Sequence, residues 1–235
     1  MYDIKRTIGH SVLGPDGSIT MRSVIDLMQD CCGFQLDNEE VLEKYFKETN
    51  TGIFLVYRQL DFIRLPHYAE TITVRTYITE FKSLYAVRNT FILAEDGTPI
   101  IISYAIGAFV NLASGRPFRL PKDVGEKISL TQPYEMEYTD RKILLPEIEP
   151  VKKPSVVVGK WLIDANHHIN NARYVALAEE YVPADFAIKR MRIEYKTAAK
   201  YMEEIIPLVY NEENQIVVNL TDTEGMTFVI VQFIK

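Results

Sequence analysis

The spacing of apolar positions changes character along this chain, and each change predicts a different element. From Thr20 to Phe34, Val24, Leu27, Met28 and Cys31 recur three or four residues apart, which is one face of a helix, with Gly33 near its expected end. Asp37–Asn50 is charged and mixed and reads as a second, shorter helix. From Gly52 onward the pattern turns to strands. Gly52–Arg64, Thr71–Glu80, Leu84–Ala94 and Thr98–Leu112 are rich in Val, Ile, Thr, Tyr and Phe. Glu95-Asp96-Gly97 joins the last two as a hairpin, and Pro66-His67-Tyr68 separates the first two. Before them, Tyr2–Val12 alternates loosely, and Gly14-Pro15-Asp16-Gly17 is a turn by composition.

Lys122–Ser155 loses all periodicity. It carries Pro133, Pro146, Pro150 and Pro154 among many charges and reads as a connector lying on the surface. Beyond it, Val175, Ala178 and Val182 return to helical spacing over Ala172–Tyr181. Met191–Tyr195, Ile205–Tyr210, Gln215–Thr221 and Met226–Ile234 then read as strands. Both sides of the connector thus run helix first, antiparallel strands after. Asp61–Ile72 lies over Glu194–Ile205 without a gap, matching the acid, the next aromatic, a later Tyr, a Glu and the final Ile. The expectation is an α+β fold of two repeats. Each repeat wraps a curved antiparallel sheet around one long helix, and the sheets join edge to edge so that exposed strand edges are covered.

Composition narrows the function. The chain has 235 residues, 47% hydrophobic and 25% charged, enough for a proper core. Its formal charge of -6 argues against nucleic acid as a partner, which calls for a basic surface. The only cysteines, Cys31 and Cys32, are adjacent, so they neither frame disulfides nor stand at zinc-ligand spacing; a reduced cytoplasm fits, and no metal or organic cofactor is expected. The opening MYDIKRTIGHSV has no apolar signal core. The longest apolar stretch, Ile100–Ala113, is interrupted by Ser103, Tyr104 and Asn111 and is too short to span a bilayer, so no membrane association is expected.

The chemistry concentrates in Trp161–Tyr181. Asp164, Asn166 and His168 occupy alternate positions, and in an extended segment they would line one face, with His167 on the other. Asn171 follows as a suitable N-cap for the next helix. A row of acid/base groups running into a helix start brings together a proton acceptor and free backbone N–H donors, which acyl transfer requires. An isolated Asp-x-Asn near a helix start is more often a turn and a cap. A lone His is more often a satisfied surface residue; the complete block shifts the weight toward catalysis. Glu194 reads first as a strand acid, with a role as second carboxylate left open. Met28, Cys31 and Phe34 are candidate walls for an acyl chain, and equally plain core.

The block Asp164-Ala165-Asn166-His167-His168-Ile169-Asn170-Asn171, followed by Tyr174, resembles the signature of the acyl-acyl carrier protein (acyl-ACP) thioesterases, double hot-dog enzymes of plant plastids and bacteria. Gly14-Pro15-Asp16-Gly17 with the following helix, Arg64-Leu65-Pro66, Val110-Asn111-Leu112 with Arg116, and Ile193-Glu194-Tyr195-Lys196 extend the resemblance over nearly the whole chain. It implies residues 1–128 as a first hot-dog half on the acyl-pocket side, 129–155 as connector and 156–235 as a catalytic half. It also implies hydrolysis of a fatty acyl thioester on acyl carrier protein, with Asp164, Asn166 and His168 catalytic. Many members carry Glu-Cys where this chain has Ala198-Ala199, so that carboxylate and thiol are absent. An acyl-coenzyme A thioesterase and a non-catalytic acyl-binding protein stay open as alternatives, as does a homodimer. The carrier protein is acidic, and Arg116, Arg119, Lys122, Arg141, Lys142, Lys152 and Lys153 form a candidate basic docking region around the connector.

Overall fold

A computed structural model describes residues 1–165 and 167–235. The elements follow in chain order. β1 (Tyr2–Thr7) leads to α1 (Met21–Asp37) and α2 (Glu40–Thr49), then to β2 (Thr51–Phe62), β3 (Thr71–Phe81), β4 (Tyr85–Leu93) and β5 (Pro99–Asn111). A short α3 (Lys122–Gly125) opens the connector, which ends in β6 (Val151–Lys152) and β7 (Val156–Val157). The second half holds α4 (Asn171–Glu179), β8 (Arg190–Tyr195), β9 (Glu204–Asn211), β10 (Gln215–Thr221) and β11 (Thr227–Ile234).

The long helix α1 begins where its cap dictates. Thr20 Oγ1 accepts the Ser23 N–H at 3.1 Å. One face buries Val24, Ile25, Met28 and Cys31, each large apolar side chain contributing about 1.5–3 kcal/mol of transfer free energy. The helix runs past Gly33 to Asp37. A mid-helix glycine costs about 1 kcal/mol, and the packing of Leu36 beside Leu42 of α2 offsets it.

All pairings in the sheet are antiparallel, and its order is β1-β3-β4-β5-β2-β8-β11-β10-β9-β6, with β7 also on β9. The order β3-β4-β5-β2 in the first half recurs as β9-β10-β11-β8 in the second. The halves meet through β2 and β8, in register from Tyr57↔Glu194 to Asp61↔Arg190. The edge-to-edge joining expected from the sequence is therefore the observed one, and the fold is two helix-in-sheet repeats. Arg190 Nε donates to Asp61 Oδ1 at 2.6 Å across the seam. On the helix side one continuous core unites Val24, Ile25 and Met28 of α1, Val175 and Ala178 of α4, and Met191, Ile193, Val229 and Val231 of the sheet.

The connector differs from a loose surface link. It lies across the opposite face of the sheet and crosses the seam. Thr139 Oγ1 donates to Gln59 Oε1 at 2.6 Å on β2. Arg192 Nη2 on β8 donates to the Asp140 carbonyl at 2.6 Å. Ile143 is buried among Tyr57, Tyr104, Tyr210, Val217 and Ile230, and its N–H donates to Glu194 Oε2 at 2.9 Å. Between Thr131 and β6 the proline-broken segment forms no strand, and side chains of the sheet it covers take up its backbone groups there, as at Glu137, Thr139, Asp140 and Ile143. Among the described residues no helix is long and apolar enough to cross a membrane.

Candidate active site

The described residues from Lys160 to Asn170 do not run as a strand. A 3-10 turn, Lys160–Leu162, leads into an isolated bridge between Ile163 and Ile169. Between them the chain folds into a tight loop. Asp164 N–H donates to the His168 carbonyl at 2.9 Å, and His167 N–H donates to the Asp164 carbonyl at 3.1 Å. His167 takes a left-handed φ of 61° and is exposed. Asp164 and His168 are thus neighbours because they close the two ends of one loop, not because they alternate along a strand. Asn166 lies outside the described residues.

The helix cap is Asn170, one residue before the position expected. Its Oδ1 accepts the Ala172 N–H at 2.9 Å, and its Nδ2 donates to Asp164 Oδ2 at 3.4 Å. Asn170 therefore ties the carboxylate to the start of α4, a role the sequence pattern did not single out. The available signal was the pair Asn170-Asn171 itself. Either residue can cap, and only the loop geometry decides which does.

That loop has an internal counterpart. An offset of 150 residues carries Gly9 onto Gly159, Ile19 onto Ile169, Gly14 onto Asp164 and Ser18 onto His168. The geometry follows. Leu13 bridges Ile19 as Ile163 bridges Ile169. Gly14 N–H donates to the Ser18 carbonyl at 2.7 Å, and Gly17 N–H donates to the Gly14 carbonyl at 3.0 Å. Gly17, the counterpart of His167, has φ 80°. The same loop scaffold thus carries Gly and Ser in one half and Asp and His in the other. The matching Gly9/Gly159 and Ile19/Ile169 pairs were the sequence signal for this second repeat.

Asp164 and His168 are both half-buried and face a cleft of about 500 Å³ between the halves. One wall comes from the first half, with Phe54, Leu55 and Val56 on β2, Ala108 and Val110 on β5, and Leu112. The other comes from Ile169, Asn171, Tyr174, Tyr195 and Ala198. A bulge displaces the β2 register between Leu55 and Tyr57 at this wall. Beside it Gly107 has no room for a side chain, since a Cβ there would stand 2.4 Å from Ile53 Cγ2.

Two tyrosines brace the second wall. Tyr174 Oη accepts the Ala199 N–H at 2.7 Å, and burial pushes its hydroxyl up to about 12. Tyr195 Oη donates to the Asn171 carbonyl at 3.4 Å, and burial raises its hydroxyl as well. Ala198 lines the cleft and Ala199 is buried, so the departure from Glu-Cys falls at the cleft itself.

Other expectations change. Met28, Cys31 and Phe34 do not line the cleft; Met28 and Cys31 are core and Phe34 is exposed. Cys31 Sγ donates to the Val74 carbonyl at 3.3 Å, and burial pushes its thiol up to about 12. Burial also pushes the Cys32 thiol up, but the Arg88 and Arg58 guanidiniums outweigh it and bring it to about 6. Neither thiol reaches Asp164 or His168. Glu194 faces the connector rather than the cleft. The basic residues do not form one patch. Arg116 is exposed between Gly115 and Pro117 on the cleft rim, joined there by Lys196. Arg141 and Lys142 sit on the strap across the far face beside Arg192, and Lys152 is in edge strand β6. Among the described residues no group of three or more His, Cys, Asp or Glu stands together to hold a metal.

The profile of the acyl-ACP thioesterase N-terminal domain matches residues 2–128, and that of the acyl-ACP thioesterase C-terminal domain matches residues 155–231. No curated protein matches the chain. Among solved structures, an acyl-ACP thioesterase from Bacteroides thetaiotaomicron superposes with a TM-score of 0.88 at 19% identity, over 99% of this chain and 96% of its own. A 12:0-ACP thioesterase from Umbellularia californica does so with a TM-score of 0.84 at 16% identity, over 99% of this chain and 95% of its own. At these identities the structural likeness speaks to the fold.

Proposed function

The chain belongs to the acyl-ACP thioesterase family, and on that premise we propose that it hydrolyses fatty acyl thioesters on acyl carrier protein, releasing the free fatty acid. The observation that carries this reading is the meeting of Asp164, His168 and the start of α4 at one apolar cleft. The acyl chain lies against Phe54, Leu55, Val110 and Leu112, with the thioester carbonyl at the loop. Asp164 takes a proton from water as the water oxygen bonds to the carbonyl carbon. His168 orients that water. The carbonyl oxygen gains charge and is stabilised by the Asn171 N–H at the start of α4, which has no acceptor among the described residues. When the carbon–sulfur bond breaks, the proton returns to the departing thiolate. Asn166 is assigned by resemblance to hold the carbonyl or to fix Asp164.

Residues 1–128 supply most of the acyl wall, 129–155 connect, and 156–235 supply the reacting groups. Arg116 and Lys196 at the rim give an acidic carrier protein a positive approach despite the net charge of -6. The buried, unpaired Cys31 and Cys32 fit a reducing cytoplasm.

Two measurements test the reading. Asp164→Ala should lower kcat by roughly 10²–10⁴ while the melting temperature holds; full turnover in that variant removes Asp164 from the chemistry. Rates on carrier-protein and coenzyme A thioesters of equal chain length should favour the carrier protein. A faster coenzyme A substrate overturns the partner assignment.

A further inference from the structure

Each helix start in the repeat meets the other half's helix, and the two meetings differ in one atom. The offset of 150 residues carries Met21 onto Asn171 and Gln29 onto Glu179. At the start of α1, Glu179 reaches over from α4. Its Oε1 accepts the Met21 N–H at 3.0 Å, and its carboxylate also takes the Arg22 N–H. An anionic oxygen thus sits where a helix start offers two free donors. At the start of α4, the residue that reaches over from α1 is Gln29. Its Oε1 accepts Asn171 Nδ2 at 3.4 Å. Among the described residues the Asn171 N–H, counterpart of the occupied Met21 N–H, has no acceptor.

We propose that Gln29, contributed by the first half, is a positioning residue of the active site. Its uncharged amide holds the Asn171 carboxamide at the cleft wall and leaves the Asn171 N–H open for the substrate oxyanion. The physical reason is the contrast between an amide and a carboxylate of equal reach. A carboxylate makes a charge-assisted bond to backbone N–H, roughly twice as strong as a neutral one, and the positive end of the helix attracts it further. An amide oxygen is the weaker acceptor, and its own NH₂ is repelled by the same positive end. Gln29 accordingly settles on a neighbouring side chain, whereas Glu179 settles on the backbone. The inference rests on the α4 start being the oxyanion site.

The test compares Gln29→Glu, Gln29→Ala and Glu179→Gln on one acyl thioester, with kcat, KM and melting temperature measured for each. Gln29→Glu should place a carboxylate on the Asn171 N–H and lower kcat by about 10²–10³, the typical effect of losing an oxyanion donor. Gln29→Ala should lower kcat less and leave KM near wild type. Glu179→Gln, at the mate position, should leave kcat unchanged. Wild-type kcat in Gln29→Glu overturns the proposal, as does an equal loss in Glu179→Gln, which would reduce the effect to helix packing. Should Gln29→Glu fail to fold, a folded Gln29→Ala with wild-type kcat overturns it alone. An inactive Asp164→Ala beside a fully active Gln29→Glu refutes only this inference; full activity in both refutes the reading of the site beneath it.

Discussion

Asn170 shows how much a single amide can hold. It caps α4 through Ala172 N–H and steadies Asp164 through its NH₂. Asn170→Ala removes both, so two effects should appear together. Loss of the cap should cost about 1 kcal/mol of stability, read as a lower melting temperature. Release of the carboxylate should lower kcat with little change in KM. A drop in melting temperature with intact kcat would leave Asn170 a cap only. Glu179 gives a pH-dependent prediction. Burial raises its carboxyl above its ordinary value, against the two N–H bonds that lower it. A raised folded-state value means the ionised form is favoured less in the folded than in the unfolded chain. The stabilising contribution is therefore present at acid pH and is lost as pH rises through the folded value. Glu179→Gln keeps an acceptor and removes the charge. Its melting temperature relative to wild type should rise as pH is raised from below the ordinary carboxylate value through the raised folded value, and a flat difference would contradict the shift.

At the scale of elements, α1 carries a glycine that its own packing does not need. A Cβ at Gly33 would meet nothing within 4 Å. Gly33→Ala should then stabilise the protein by up to about 1 kcal/mol, seen as a higher denaturation midpoint with unchanged slope. The same residue explains why the helix was expected to stop early. Glycine is a stop signal in local sequence, and only the tertiary packing of Leu36 reveals that the helix continues. Strands β2 to β5 were legible because alternation and branched residues mark them whatever their partners. The loop from Asp164 to His168 was not. Asp, Asn and His at every second position satisfy the period of a strand equally well, and the closure between Asp164 N–H and the His168 carbonyl leaves no trace in composition. Asp164 and His168 were visible as candidates; the loop that brings them together was not.

For the molecule as a whole, the repeat was legible from the order of elements, and the joining of the sheets followed from the need to cover open edges. The strap was not legible. Its backbone is met by Gln59, Arg192 and Glu194, residues far away in sequence whose positions read as ordinary solvated polarity. The duplication has a consequence for turnover. In the first half, the Glu179 carboxylate on its flexible tether rests on the Met21 N–H, whose counterpart in the second half, the Asn171 N–H, is open among the described residues. A released fatty acid carries that same headgroup on a tail suited to the cleft. The enzyme should therefore be slowed by its own product. Free acid should compete with the thioester, and the primary alcohol of equal length should compete less well, because it brings no negative oxygen to the helix start.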